Sequence, residues 1–166
     1  MVTIASWEIA TNDCPYMSIS LSIYCAGCRH ECPGCQNPAL QDFNNGVPME
    51  AADVVSLVTN RISLIESVVF LGGDWIYYPT ELRDVSTQLK QLYNDLILIL
   101  YTGELLVNIP DDILEHLDIV VDGPYMEDKK TSYAIPASSN QRVYINPYHY
   151  VFYEVDPSTL PINKEE

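Results

Sequence analysis

The sequence predicts an α/β fold built on a parallel sheet, in the form of an open, partial β/α barrel. Three observations predict it. Strand-like apolar runs alternate with stripes of helical period, the pattern of right-handed β–α–β crossovers. The run over 95–101, DLILILY, is apolar without interruption, as expected of a strand covered on both faces. The β–α units are too few to close an eightfold barrel. A chain of 166 residues suits one domain, read here as spanning 1–166.

The elements follow in order. Over 18–24, Ile19, Leu21 and Ile23 alternate with small serines, a period of two and so a strand. The segment after it carries Gly27, Pro33, Gly34 and Pro38 and reads as a loop. Pro48 is expected to open a helix running to about 60, with Ala51, Val54, Val55 and Val58 on one face. Residues 67–71, SVVFL, form a short buried strand ending at Gly72-Gly73-Asp74. A second helix covers 80–93, with Leu82, Val85, Leu89 and Leu92 in one stripe. A short helix over 111–117 leads into a strand over 118–122, and the Tyr-rich segment 142–155 is expected to be extended. In open parallel sheets ligands sit at the carboxyl ends of strands. Four such ends carry conspicuous residues: the cysteine loop, Gly72-Gly73-Asp74, Thr102-Gly103 and Asp122-Gly123.

Composition narrows the function classes. Hydrophobic residues make up 48% and charged residues 19%, a globular balance. The formal net charge of −15 repels phosphate backbones, so no nucleic-acid partner is expected. The simplest reading of the acidity is solubility; the sharper one is a basic protein partner. No apolar run reaches the ~18 residues of a membrane span. The first residues show no basic region followed by an apolar stretch, so a cytoplasmic location without membrane association is expected.

All five cysteines, Cys14, Cys25, Cys28, Cys32 and Cys35, lie in the first 35 residues. A disulfide framework would distribute them along the chain, whereas a tight group reads as a metal or cluster site. Cys28, Cys32 and Cys35 have C-x3-C-x2-C spacing. Three thiolates on one loop hold three irons of a four-iron cluster and leave the fourth open to a ligand, by the logic of the open position in catalytic zinc sites. A four-cysteine zinc site, formed by the pairs Cys25/Cys28 and Cys32/Cys35, is the plainer alternative. Only three residues separate the pairs, too few to wrap one tetrahedral ion easily. A ferredoxin-like electron carrier, with Cys14 or Cys25 as fourth ligand, leaves the Gly-Gly-Asp turn without a purpose.

C-x3-C-x2-C is the signature of the radical S-adenosylmethionine (SAM) enzymes, and the stretch from Gly27 to Pro38, GCRHECPGCQNP, resembles the small activating enzymes of anaerobic ribonucleotide reductases. Most radical SAM enzymes have an aromatic residue before the third cysteine; here Gly34 stands there, as those activating enzymes favour. Further matches follow in order. Leu71-Gly72-Gly73-Asp74 is similar to a GGD/GGE motif and Tyr101-Thr102-Gly103 to W-T-G-Y. Val121-Asp122-Gly123-Pro124-Tyr125 is similar to V-D-G-K/P-F, and Ser138-Ser139-Asn140-Gln141-Arg142 to G-S-S-N-Q-R. Two departures stand out. The N-G-P-G-x-R segment of relatives is here Asn12-Asp13-Cys14-Pro15-Tyr16-Met17-Ser18, without the arginine, and Pro124 replaces the lysine of some relatives.

The resemblance implies a partial barrel of the radical SAM type and two cofactors, a 4Fe–4S cluster on Cys28, Cys32 and Cys35 and SAM on its open iron. It places Gly34, Gln36, Gly72, Gly73, Asp74, Thr102 and Asp122 among the cofactor-binding residues. Gly72 and Gly73 would let backbone approach the methionine moiety, and Asp74 or adjacent carbonyls would accept from its ammonium. Thr102 and Asp122 would reach the ribose or carboxylate side. Reductive cleavage of SAM would yield a 5′-deoxyadenosyl radical that takes hydrogen from a backbone glycine of the partner, the large subunit of an anaerobic ribonucleotide reductase. A flavodoxin or ferredoxin would supply electrons. Another glycyl-radical enzyme, or a small molecule, is the alternative target.

The remaining singular residues have ordinary readings. Cys25 reads as a small apolar strand-end residue, and Cys14 is left open. His30 is expected to be solvated loop polarity, and His116 and His149 to be structural. Asp111 and Asp112 after Pro110 read as a helix start, and the tyrosines over 144–153 as packing, with an exposed subset able to form a docking face.

Overall fold

In the computed structural model, which describes residues 1–147 and 151–164, strand propensity and helix stripes resolve into one mixed sheet with helices on one face. The strands are β1 (Val2–Ala10), β2 (Ser20–Cys25), β3 (Val47–Met49), β4 (Ser67–Gly72), β5 (Ile97–Tyr101), β6 (Ile119–Asp122), β7 (Arg142–Ile145) and β8 (Tyr153–Val155). The helices are α1 (Ala51–Thr59), α2 (Pro79–Leu92) and α3 (Asp111–Leu114). Strand order is β3-β1-β2-β4-β5-β6-β7-β8. The centre, β2-β4-β5-β6, is parallel. Both flanks are antiparallel, and the sheet is not closed.

The four central strands and the two longer helices lie close to where periodicity put them. The flanks do not. β1 was not expected, although its alternating Val2 and Ile4 are buried. Pro48 does not open the first helix: it lies in β3 opposite Thr3, and α1 starts three residues later, where the Glu50 N–H donates to Asp53 Oδ2 at 3.1 Å. That reciprocal carboxylate contact, rather than proline, sets the helix start. Leu92, placed in the buried stripe of α2, is 58% exposed because the helix ends there. His149 and the tyrosines Tyr148 and Tyr150 lie outside the described residues. Tyr144 is half-buried on β7 and Tyr153 exposed on β8. Among the described residues no helix is long and apolar enough to cross a membrane.

Because side chains alternate across a strand, each central strand feeds two cores. Leu21, Ile23, Val68, Phe70, Leu98 and Leu100 pack under the helices. On the other face Val69, Ile99, Ile119 and Val121 meet Val143, Cys14, Ile135 and Leu160. The serines of β2 sit within this two-sided burial and are satisfied: Ser20 Oγ lies 2.7 Å from Ser67 Oγ, and Ser22 Oγ donates to Asp13 Oδ2 at 2.6 Å. Trp75 anchors the helix side. It is fully buried, stands edge-on to Phe70 at 4.9 Å between centroids, and donates Nε1–H to the Ile23 carbonyl at 3.1 Å. Trp75→Ala should cost about 3–5 kcal/mol, the range for truncating a buried tryptophan. Urea unfolding of the apoprotein, with the midpoint compared at constant slope, measures it.

Candidate functional site

The cysteine loop begins where β2 ends. Its base is tied to neighbouring backbone: Gly27 N–H donates to Leu40 O (2.7 Å), Cys28 N–H to Gln41 O (3.2 Å) and Asp74 N–H to Gly27 O (2.8 Å). Left-handed backbone at Gly27 (φ 106°), Glu31 (φ 48°) and Gly34 (φ 76°) reverses the chain repeatedly within the loop. Cys28, Cys32 and Cys35 are all free, half-buried and on the wall of one cavity of about 260 Å³. Among the described residues no three His, Cys, Asp or Glu side chains gather around a point that would hold a single metal ion. The three thiols share one cavity wall, near enough for Cys32 and Cys35 to act electrostatically on Cys28. Such a donor set fits a multi-iron cluster, in which each thiolate serves a different iron.

Burial pushes the Cys28 thiol upward, with the His30 backbone N–H opposing. Cys25 is driven well above the ordinary thiol range, first by burial and then by nearby Asp74. It is fully buried and does not line the cavity. Cys14 lies in the core beneath, its sulfur accepting from Ser18 Oγ at 3.1 Å. Both are packing residues in this structure.

Of the other expected site residues, Gln36, Gly72, Gly73, Asp74 and Thr102 line the same cavity. Gly34 and Asp122 do not. A Cβ on Gly34 would lie 2.5 Å from Glu127 Oε2, so its glycine makes room for an acidic side chain folded against the loop. Asp122 was expected to face the ligand because it ends a strand. The strand's alternation decides otherwise: Val121 and Gly123 border the cavity, while Asp122 Oδ2 accepts from Leu106 N–H at 2.8 Å. Burial raises its pKa, and its Oδ1 is buried without a hydrogen-bond partner among the described residues.

The glycines of the Gly-Gly-Asp turn have a different rationale from the one expected. A Cβ on Gly73 would meet the carbonyl oxygens of Gly27 at 2.5 Å and Leu40 at 2.8 Å. Gly72 (φ 112°) abuts the backbone of Cys25. What they admit is the base of the cysteine loop. The Asp74 carboxylate is likewise engaged within the protein. Its Oδ2 accepts from Gly103 N–H (2.8 Å), Thr102 Oγ1 (2.9 Å) and His30 Nε2 (3.1 Å), and its Oδ1 from Ile76 N–H (3.1 Å). Thr102 Oγ1 also accepts from Glu104 N–H at 3.0 Å. His30 is therefore no solvated loop residue: its bond to Asp74 raises its pKa, and its ring packs 5.7 Å from that of Tyr77. His116 makes a contact of 3.1 Å with Glu115.

Several site residues escaped sequence reasoning. Asn12 and Asp13 form part of the cavity wall, with Asp13 Oδ2 held by Ser22 and its carbonyl by Tyr101 OH at 2.8 Å. Phe43 and Tyr77 flank the Arg29 guanidinium at 5.4 and 5.8 Å. The Ser-Ser-Asn-Gln segment works as a brace. Gln141 accepts from Ser138 N–H and donates to Gly123 O, and Asn140 donates to Pro124 O, pinning the loop that carries Tyr125 and Ile135 over the cavity.

A family model described as a 4Fe–4S single cluster domain matches residues 18–144, which include all three loop cysteines, strands β2 to β6 and most of β7. Anaerobic ribonucleoside-triphosphate reductase-activating proteins are similar to this chain. That of Enterobacteria phage T4 is 27% identical over 128 residues, covering 75% of this chain and 82% of the relative. That of Pasteurella multocida is 29% identical over 136 residues (74% and 85%), and that of Escherichia coli K12 is 27% identical over 134 residues (74% and 86%).

Proposed function

The chain belongs to the 4Fe–4S single cluster domain family, and from that premise we propose that it is a radical SAM activating enzyme that generates a glycyl radical on an anaerobic ribonucleoside-triphosphate reductase. Its parallel strands serve in this reading as an open partial barrel. The observation that carries it is the convergence of Cys28, Cys32 and Cys35 with Gly72, Asp74 and Thr102 on one cavity.

Cys28, Cys32 and Cys35 would hold the cluster, each thiol losing its proton to bind as a thiolate. When bound, the cluster supplies an open coordination position and an electron for reductive cleavage of SAM. The protein's own work is positional. Backbone at Gly72 and Gly73 and the wall formed by Leu71, Val121 and Ile135 shape the ligand space and keep much of it apolar. The Asp74 carboxylate is occupied, so an ammonium at this turn is received by backbone carbonyls. A low-potential flavodoxin or ferredoxin is the electron donor, and the reductase covers the open side of the cavity.

The test combines the anaerobically reconstituted protein, SAM, a reductant and the large subunit of the reductase. A glycyl-radical EPR doublet should appear on the reductase and vanish when its radical glycine is replaced by alanine. 5′-Deoxyadenosine should form slowly without the reductase and faster with it. Brisk formation with no protein present as partner, together with turnover of a small molecule, overturns the proposal.

A further inference from the structure

We infer that His30 and Asp74 form a latch that fixes the cysteine loop at its working height above the ends of β4 and β5, so that Asp74 is a positioning residue acting through the loop. The inference rests on the proposed function only in taking this loop to be the cluster's holder. Asp74 is 1% exposed, and four protein donors converge on it, about the full acceptor capacity of a carboxylate. These donors come from three places. Ile76 belongs to its own turn, Thr102 and Gly103 to the end of β5, and His30 to the middle of the cysteine loop, between Cys28 and Cys32.

Of the four, His30 is the contact that reaches out of the core to the exposed half of the loop. Its ring is held on two further sides. Tyr77 packs against it, and Gly103 leaves the space it fills, since a Cβ there would lie 2.5 Å from His30 Cδ2. Arg29, the neighbouring loop residue, lies against Phe43 and the same Tyr77. The loop between its first two cysteines is therefore clamped on the segment 74–77 by adjacent side chains, and the hydrogen bond to a buried carboxylate is the directional element of the clamp. Thiolates held to within a fraction of an ångström retain a cluster and its orientation; thiolates on a released loop do not.

The experiment uses the full-length protein with four replacements: His30→Phe, His30→Gln, Asp74→Ala, and His30→Phe combined with Asp74→Ala. Hydrogen exchange on the apoprotein reads the latch without any metal. Amides over 28–35 should exchange on the order of tenfold faster in His30→Phe, the equivalent of losing one charge-assisted hydrogen bond. His30→Gln, which keeps a donor, should restore most of the protection. After anaerobic reconstitution, iron content should fall in His30→Phe and in Asp74→Ala. The double variant should be no worse than the weaker single one, the signature of one shared interaction. The EPR signal of the reduced cluster should broaden in His30→Phe and sharpen again in His30→Gln.

Unchanged loop exchange in His30→Phe, failure of glutamine to rescue, or additive effects of the two positions would each overturn the latch. If the unsubstituted protein itself takes up no iron, the cluster reading fails, while the exchange measurements still decide the latch.

Discussion

Single replacement of Cys28, Cys32 or Cys35 by alanine should reduce bound iron and sulfide to background after anaerobic reconstitution, while Cys14→Ala and Cys25→Ala retain the full cluster. The contrast follows from placement. The first three thiols share the cavity wall, and two remaining thiolates leave a four-iron cluster with half its irons unligated by protein. Cys14 and Cys25 are fully buried in the packing on either face of the sheet, and Cys25 is held protonated by burial. Their alanine variants should lose about 1 kcal/mol of stability from the small voids created. Iron and sulfide analysis with the absorbance near ~400 nm reads the outcome. A cluster surviving loss of any loop cysteine, or lost with Cys14 or Cys25, would require a different ligand set.

Gly73→Val should abolish cluster retention together with ligand binding, rather than weakening the ligand alone. A Cβ at this position would lie 2.5 Å from the Gly27 carbonyl oxygen, and the second obstacle, Leu40 O, is also backbone. Neither atom moves without moving the base of the cysteine loop, whose hydrogen bonds run through these residues. Overpacking of this kind costs about 1–3 kcal/mol even where side chains give way. Iron content and the urea midpoint of Gly73→Val should both drop. Full iron content with an unchanged midpoint would show that the turn tolerates a side chain and that the loop is not seated on it.

The chain's local organisation was legible where it depends on spacing. The cysteine interval, the doubly buried β5 and the order of strand ends could be read from neighbouring residues alone. The residues misread are those whose role depends on a distant partner or on the parity of a strand. His30 looked solvated because Asp74 lies 44 positions away. Asp122 looked like a ligand residue because its strand end was identified correctly, but one step of alternation turns its carboxylate to the opposite face. Gly73 was recognised as necessary, but its second reason was missed, since nothing in the sequence says that the Gly27 and Leu40 carbonyls lie against it. Pro48 was read by its helix-opening habit, whereas it serves equally well on an edge strand that needs no donor.

That last placement bears on how copies of this chain meet other proteins. An edge strand offers a row of free peptide groups on which a further strand can polymerise. Here one border of the sheet is only three residues long, with an imino acid at its centre, and the strand at the other border is equally short. Among the described residues, both margins are therefore short templates for a further strand. In the proposed reading, the reductase would engage the rim where the parallel strands end.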